Sequence, residues 1–221
     1  MTDTAAAAAV RTGTEVDGPT PDHLDGVDLE GWGLGSNNAT GLTNNKLGMW
    51  LFLGSDCLLF GALISVYLLM RHRGTGLGPE DLFDIPFTSV SSFVLLMSSM
   101  SMVFAVSAIA RGEDQRLRLW LLVTALLGAI FIAGQVYEFT AFYREGLGYT
   151  TNLFSSAFYS LTGFHGVHVS VGIIMLMSLL VLSLTGRLKQ DRAETVEIVG
   201  LYWHFVDIVW VLIFTIVYLI P

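Results

Sequence analysis

Five apolar runs, each of about twenty residues or more, restrict this chain to one kind of fold. They are Leu47–Met70, Phe87–Ala110, Leu117–Phe142, Phe154–Leu184 and Val196–Ile220. A helix rises 1.5 Å per residue, so about twenty residues cross roughly 30 Å of hydrocarbon. Backbone amides in lipid must satisfy one another, and within a single segment only a helix achieves this. The alternating apolar and polar positions of a barrel strand are absent. The expected fold is all-α: a polytopic membrane protein whose five transmembrane helices form a bundle over residues 46–221. The fourth run exceeds a simple crossing, which predicts a tilted helix or one that extends beyond the bilayer. Composition agrees, with 53% hydrophobic and 14% charged residues against about a quarter charged in soluble domains.

Residues 1–45 differ in kind. Seven acids (Asp3, Glu15, Asp17, Asp22, Asp25, Asp28, Glu30) stand against one base, Arg11, among many Gly, Thr and Asn. Such a segment reads as a flexible acidic tail. A sharper reading makes it an arm across a partner subunit, anchored by Trp32 and Leu34. The run Ala5–Ala9 is too short for a signal-peptide core, and no basic segment precedes it.

With five crossings, the tail shares one side with the second and fourth loops. That side carries Arg11, Lys46, Arg111, Arg116, Arg118, Arg187, Lys189 and Arg192, eight cations against three (Arg71, Arg73, Arg144) opposite. The excess predicts a cytoplasmic N-terminus and an outer Pro221; Glu80, Asp81 and Asp84 do not enter the rule. Cys57 is the one cysteine, forms no internal disulfide and reads as a small apolar filler. There is no CxxC, GxxxxGK, GxSxG or dinucleotide fingerprint, so nucleotide and hydrolase chemistry lack support. The net charge of −8 and the lack of a basic patch argue against nucleic acid as a partner.

Four of the five runs carry polar or ionisable groups away from their ends. These are Asp56, then Gln135 with Glu138, then His165 with His168, then His204 with Asp207. Such groups cost several kcal/mol in hydrocarbon and turn toward the bundle or a partner. The i, i+3 spacing puts each pair on one helix face. Two readings stay open. The groups are polar glue between helices, or at least one of Asp56, Glu138, His204 and Asp207 serves a proton or a lipid headgroup, with Gln135, His165 and His168 structural. Depth along the helices suggests an Asp56–His204 or His168–Asp207 pairing, with Glu138 nearer the outer surface. No metal site is expected: His165 and His168 would need further ligands, and no cysteine is placed to help. A haem between His168 and His204 would require both on facing helices at matched depth. Trp50, Phe52, Tyr67, Trp120, Tyr137, Tyr143, Tyr149, Tyr159, Trp203, Trp210 and Tyr218 are mostly near the ends of the runs, as an interfacial belt would be.

Four ordered segments carry a resemblance. They are Leu47-Gly48-Met49-Trp50-Leu51-Phe52-Leu53-Gly54-Ser55-Asp56, Gly134-Gln135-Val136-Tyr137-Glu138-Phe139, Gly163-Phe164-His165-Gly166-Val167-His168-Val169, and Tyr202-Trp203-His204-Phe205-Val206-Asp207-Ile208-Val209-Trp210. Over about residues 46–220 the chain resembles subunit III of the haem–copper respiratory oxidases (the cytochrome c oxidase subunit III family), in its short five-helix bacterial form. The resemblance implies a non-redox accessory subunit of a proton-pumping oxidase that reduces O2 to water in the bacterial cytoplasmic membrane. It implies no cofactor in this chain, with haem and copper in the partner subunits I and II. It also implies packing on subunit I, bound phospholipid and support of proton uptake. Many cytochrome c oxidases have glutamate at the position of Asp56. Ser55-Asp56-Cys57 and Leu82-Phe83-Asp84-Ile85-Pro86-Phe87 resemble the bacterial quinol oxidases, so the donor is cytochrome c or a quinol. A stand-alone proton-coupled transporter would also use buried carboxylates, but no inverted repeat or Gly/Pro-broken helix pair supports it.

Overall fold

In the computed structural model, residues 43–71, 85–188 and 192–219 are described. The acidic tail with Trp32 and Leu34, the segment holding Glu80, Asp81 and Asp84, and Pro221 lie outside the described residues. Residues 45–221 form one compact unit. Its helices are α1 (Asn44–Met70), α2 (Ile85–Ala110), α3 (Asp114–Arg144), α4 (Leu153–Leu184) and α5 (Ala193–Phe214). The last runs on into a π-helical turn, Thr215–Leu219. All five are long and apolar enough to cross a membrane. This is the all-α, five-span architecture read from the sequence. The helices begin up to three residues before the apolar runs, because hydropathy fades at the lipid boundary whereas backbone hydrogen bonding does not. With 32 residues, α4 is about 48 Å long at 1.5 Å per residue, which bears out its excess length.

Local signals set the ends. Gly112, Gly146 and Gly186 adopt φ of 71°, 93° and 70°, the left-handed conformation in which a β-carbon is strained. Each closes the same C-terminal motif. After α3, for example, Leu147 N–H reaches the Phe142 carbonyl and Gly146 N–H that of Tyr143. At the start of α4 the Asn152 side chain accepts from the Ser155 amide at 2.6 Å. Ser155 Oγ accepts in return from the Asn152 amide at 3.1 Å, completing a capping box.

Helices α2 to α5 pack as an up-and-down ring, α2 against α3 and α5, and α4 against α3 and α5. Cross-helix bonds confirm the antiparallel order: Arg118 at the start of α3 donates to the Ser183 carbonyl at the end of α4. Of the five helices, α5 is the most buried and α1 the least. Long side chains hold α1 to α4 and α5. Lys46 meets Glu197 at 2.6 Å, the Phe52 and Tyr202 rings lie 6.3 Å apart, and Tyr67 packs on Phe154 at 6.0 Å. The bundle therefore has a Lys46 end and a Glu138 end.

Two residues expected in an interfacial belt are instead at the core. Trp203 and Trp210 are each 2% exposed. A β-carbon at Gly128 of α3 would lie 2.6 Å from the Trp203 ring, and one at Gly172 of α4 would lie 2.8 Å from it. Those two glycines create the slot. The indole N–H groups then donate to α2, from Trp203 to Ser98 Oγ at 3.0 Å and from Trp210 to Ser92 Oγ at 2.8 Å. Tyr67 and Tyr218 are buried too, whereas Trp50, Tyr137, Tyr143 and Tyr149 are exposed as a belt requires. Cys57 faces outward and fills no internal gap.

Candidate functional site: buried polar contacts across the bundle

Every polar residue singled out in the sequence finds a neighbour on another helix, but not always the expected one. Asp56, only 6% exposed, pairs with His168, whose Nε2 lies 3.5 Å from Oδ2. Neither Asp56–His204 nor His168–Asp207 forms. The reason is the placement of α1 beside α4, which separates Asp56 from the α2-facing side of α5. His168 Nδ1 stands 2.8 Å from the Phe164 carbonyl. A carbonyl only accepts, so Nδ1 carries the hydrogen. The contact between Nε2 and the Asp56 carboxyl then needs one shared proton, carried by either group, to be attractive. Phe60 closes over both histidines, its ring 5.1 Å from that of His168 and 6.4 Å from that of His165.

His165 is fully enclosed. Its ring stacks on Trp210 at 4.8 Å and meets Phe131 at 5.9 Å. Neither ring nitrogen has a hydrogen-bond partner. One helical turn away in space, Gln135 of α3 donates to the Thr162 carbonyl of α4 at 3.0 Å. The Gln135 oxygen occupies the room left by Gly166, where a β-carbon would lie 2.6 Å from it. Gly166→Ala should therefore destabilise the α3–α4 contact by about 1–3 kcal/mol through overpacking. Thermal dissociation of the detergent-solubilised protein reads this. Adding Gln135→Ala should restore most of the loss, and no restoration would mean the clash lies elsewhere.

On the other side of α5, His204 Nδ1 and Ser99 Oγ of α2 share a hydrogen bond of 2.6 Å. Asp207, one turn along, is 5% exposed, and its Oδ1 has no hydrogen-bond partner. At the Glu138 end, Glu138 Oε1 accepts from Thr88 Oγ1 of α2 at 2.9 Å and from the Tyr218 hydroxyl at 3.0 Å. One carboxylate thus joins α2, α3 and the π-helical turn after α5. Sequence reasoning missed the partners Thr88, Ser92, Ser98, Ser99 and Tyr218. The available signal was α2 itself, which has no ionisable residue but a run of serines at helical spacing, the small polar residues that let helices approach and bond in lipid. Among the described residues, no three of His, Cys, Asp and Glu gather as a metal-holding group.

Each of these contacts has at least one member in the segments that carried the resemblance, and the Asp56–His168 pair and the His165–Trp210 stack each join two of them. The family model described as Cytochrome c oxidase subunit III matches residues 25–220. The chain belongs to that family. Its relatives include the cytochrome c oxidase subunit 3 of Bacillus sp. (strain PS3), 40% identical over 185 residues, covering 82% of this chain and 89% of that protein. The probable quinol oxidase subunit 3 of Staphylococcus saprophyticus is 38% identical over 178 residues, covering 80% and 89%. That of Staphylococcus epidermidis is 39% identical over 179 residues, with the same coverage. The subunit III family places this multi-pass membrane protein in a respiratory oxidase, associated with other oxidase subunits. In this subunit III, Asp56–His168, Gln135–Thr162, His204–Ser99 and Glu138–Tyr218 are among the interhelical polar contacts made by the family-like segments.

Proposed function

We propose that this chain is the non-redox third subunit of a proton-pumping terminal oxidase of the bacterial cytoplasmic membrane, reducing O2 to water with cytochrome c as donor. It packs on subunit I, and subunits I and II hold the haem and copper. The observation that carries the non-redox reading is the commitment of each intramembrane histidine to a neighbour within the chain. Trp210 and Phe131 enclose His165, Asp56 takes His168, and Ser99 takes His204. His168 and His204 thus turn to different helices, which does not suit a haem held between them. A quinol is the second donor reading, supported by the resemblance at Ser55-Asp56-Cys57 and by the names of the Staphylococcus relatives. The α3–α4 groove, about 310 Å³ and lined by Ile132, Phe139, Val167 and Ile174, supports phospholipid binding by its apolar walls. The cation excess at the Lys46 end supports a cytoplasmic N-terminus.

Asp56 is the residue for a proton-linked or lipid-linked role, because it is a buried acid whose partner is itself titratable. The test is purification of the intact complex in mild detergent, where the chain travels with haem-bearing partners. His168→Ala leaves the Asp56 carboxylate without its partner, at about 1–3 kcal/mol. It should loosen this subunit while leaving the haem spectrum unchanged. A stoichiometric loss of haem or copper from an assembled complex would overturn the non-redox reading. Asp56→Asn, of nearly equal size, should leave assembly intact and change turnover lifetime or proton uptake more than the initial electron-transfer rate. Unchanged lifetime and uptake would leave Asp56 purely structural.

A further inference from the structure

Between α2 and α5 a groove of about 380 Å³ opens along the bundle face. Val103, Val106 and Leu201 form its walls. Glu197 marks its outer end, where it pairs with Lys46 at 2.6 Å. His204 lines it farther in. From Glu197 to His204 is about 10.5 Å along the helix axis. Charged side chains near helix ends reach for the lipid–water boundary, so the imidazole meets the groove well inside the hydrocarbon. The His204 ring is bonded on one side only. Its Nδ1 lies 2.6 Å from Ser99 Oγ. Nε2 has no hydrogen-bond partner among the described residues, which leaves it to an occupant of the groove. A serine hydroxyl both donates and accepts. When Ser99 donates to Nδ1, Nε2 carries the hydrogen and is a donor. When Nδ1 donates to Ser99, Nε2 is bare and accepts. His168 has no such choice, because the Phe164 carbonyl at 2.8 Å only accepts and fixes its tautomer.

We infer that the α2–α5 groove binds the ring of a membrane quinone, and that His204 holds one ring oxygen in either redox state. Three requirements select that class. Apolar walls call for a neutral, largely hydrocarbon molecule with few polar atoms. The depth of His204 calls for one of those atoms about 10 Å inside the boundary. A phospholipid keeps its headgroup and esters at the interface and would set only acyl carbon against the imidazole. The two-way nitrogen calls for a group that accepts in one form and donates in another. A quinone presents carbonyl oxygens and its quinol presents hydroxyls. Nε2–H donates to the carbonyl, and bare Nε2 accepts from the hydroxyl, while the Ser99 hydrogen turns to suit. The groove volume lies at the small end of ligand pockets, about 300–1,000 Å³, enough for a ring with its tail running out into lipid. No electron transfer is assigned to the site, so the inference holds with either donor. It rests on the oxidase-subunit reading only in requiring the intact complex for its measurement.

The test irradiates the intact complex, in phosphatidylcholine vesicles, with an azido-quinone carrying a short isoprenoid tail, and locates the label by mass spectrometry. Label should fall on residues 103–106 of α2 and 197–204 of α5, and excess unlabelled short-tail quinone should displace it. His204→Phe, which keeps a ring and removes the nitrogen, should cut labelling about tenfold, the scale of one good hydrogen bond. Val103→Trp, at an exposed position on the groove wall, should block the groove to a similar extent. It keeps the test sharp should the His204→Phe complex fail to assemble. Unlabelled quinone and quinol should displace the label with similar affinity. A preference of more than about tenfold for one form, beyond the worth of one hydrogen bond, would overturn the two-way role of His204. Labelling confined to other parts of the chain, or labelling of the groove unmoved by both variants, would overturn the site. Displacement by added phosphatidylglycerol as readily as by quinone would show an ordinary lipid slot and overturn it equally. These failures leave subunit III membership and the Asp56 experiment untouched, because the label reports the groove alone. A chain that does not travel with haem-bearing partners would instead fail the oxidase reading before any label is added.

Discussion

Trp203→Ala should be the most damaging truncation in this chain, at about 3–5 kcal/mol. Lipid is as apolar as the bundle interior, so the loss comes from packing and hydrogen bonding rather than from transfer out of water. The indole fills the slot between Gly128 and Gly172 and donates to Ser98 Oγ at 3.0 Å. Its removal opens a cavity touching α2, α3 and α4 at once. The complementary change, Gly172→Val, forces a β-carbon to within 2.8 Å of the ring, and should cost toward the upper end of about 1–3 kcal/mol. The temperature at which this subunit dissociates from the detergent-solubilised complex measures both. Gly172→Val combined with Trp203→Leu should be less harmful than the sum of the two. Strict additivity would show that the glycine and the indole are not one packing unit.

Glu138→Leu should have the second largest effect. The change removes the acceptor shared by Thr88 Oγ1 and the Tyr218 hydroxyl, at 2.9 and 3.0 Å. Loss of a buried partner costs about 1–3 kcal/mol for each hydroxyl. Glu138→Gln keeps an acceptor oxygen and should cost about 1 kcal/mol or less, the net worth of an ordinary hydrogen bond. Comparing the two variants in the same thermal assay separates hydrogen bonding from charge. If Gln proves as damaging as Leu, the negative charge is what this corner of the bundle requires.

The architecture was legible because bilayer thickness imposes a length on each span, and five runs of that length announce five helices. The polar residues were legible as a set for a related reason: an ionisable group within hydrocarbon stands out against its neighbours. Their pairing was not legible. Depth along a helix gives one coordinate, whereas a contact also depends on rotation about the axis and on which helices are adjacent. Asp56 and His204 were compatible in depth, yet α1 lies beside α4, so Asp56 meets His168 instead. The buried tryptophans were misjudged for the same reason. Position near the end of an apolar run suggests an interface, but the slot for Trp203 depends on Gly128 and Gly172 from two other helices. The serines of α2 were silent because a hydroxyl raises little alarm in a hydropathy sum, although four cross-helix contacts depend on Ser92, Ser98, Ser99 and Thr88.

Ser92 and Ser98 also bear on how such a bundle can be assembled one span at a time. Each hydroxyl donates its hydrogen to its own helix, Ser92 to the Thr88 carbonyl and Ser98 to that of Leu95. In this state α2 can enter the membrane with these two donors already satisfied locally. The oxygen lone pairs remain as acceptors. When α5 arrives last, Trp203 and Trp210 carry N–H groups seven residues apart toward serines six residues apart on α2. These separations correspond to about 10.5 and 9 Å along the two axes. A slide of α5 by one turn would break both bonds together, so the pair acts as a ruler. It leaves insertion of the early helices unconstrained and then fixes the height at which the final helix comes to rest.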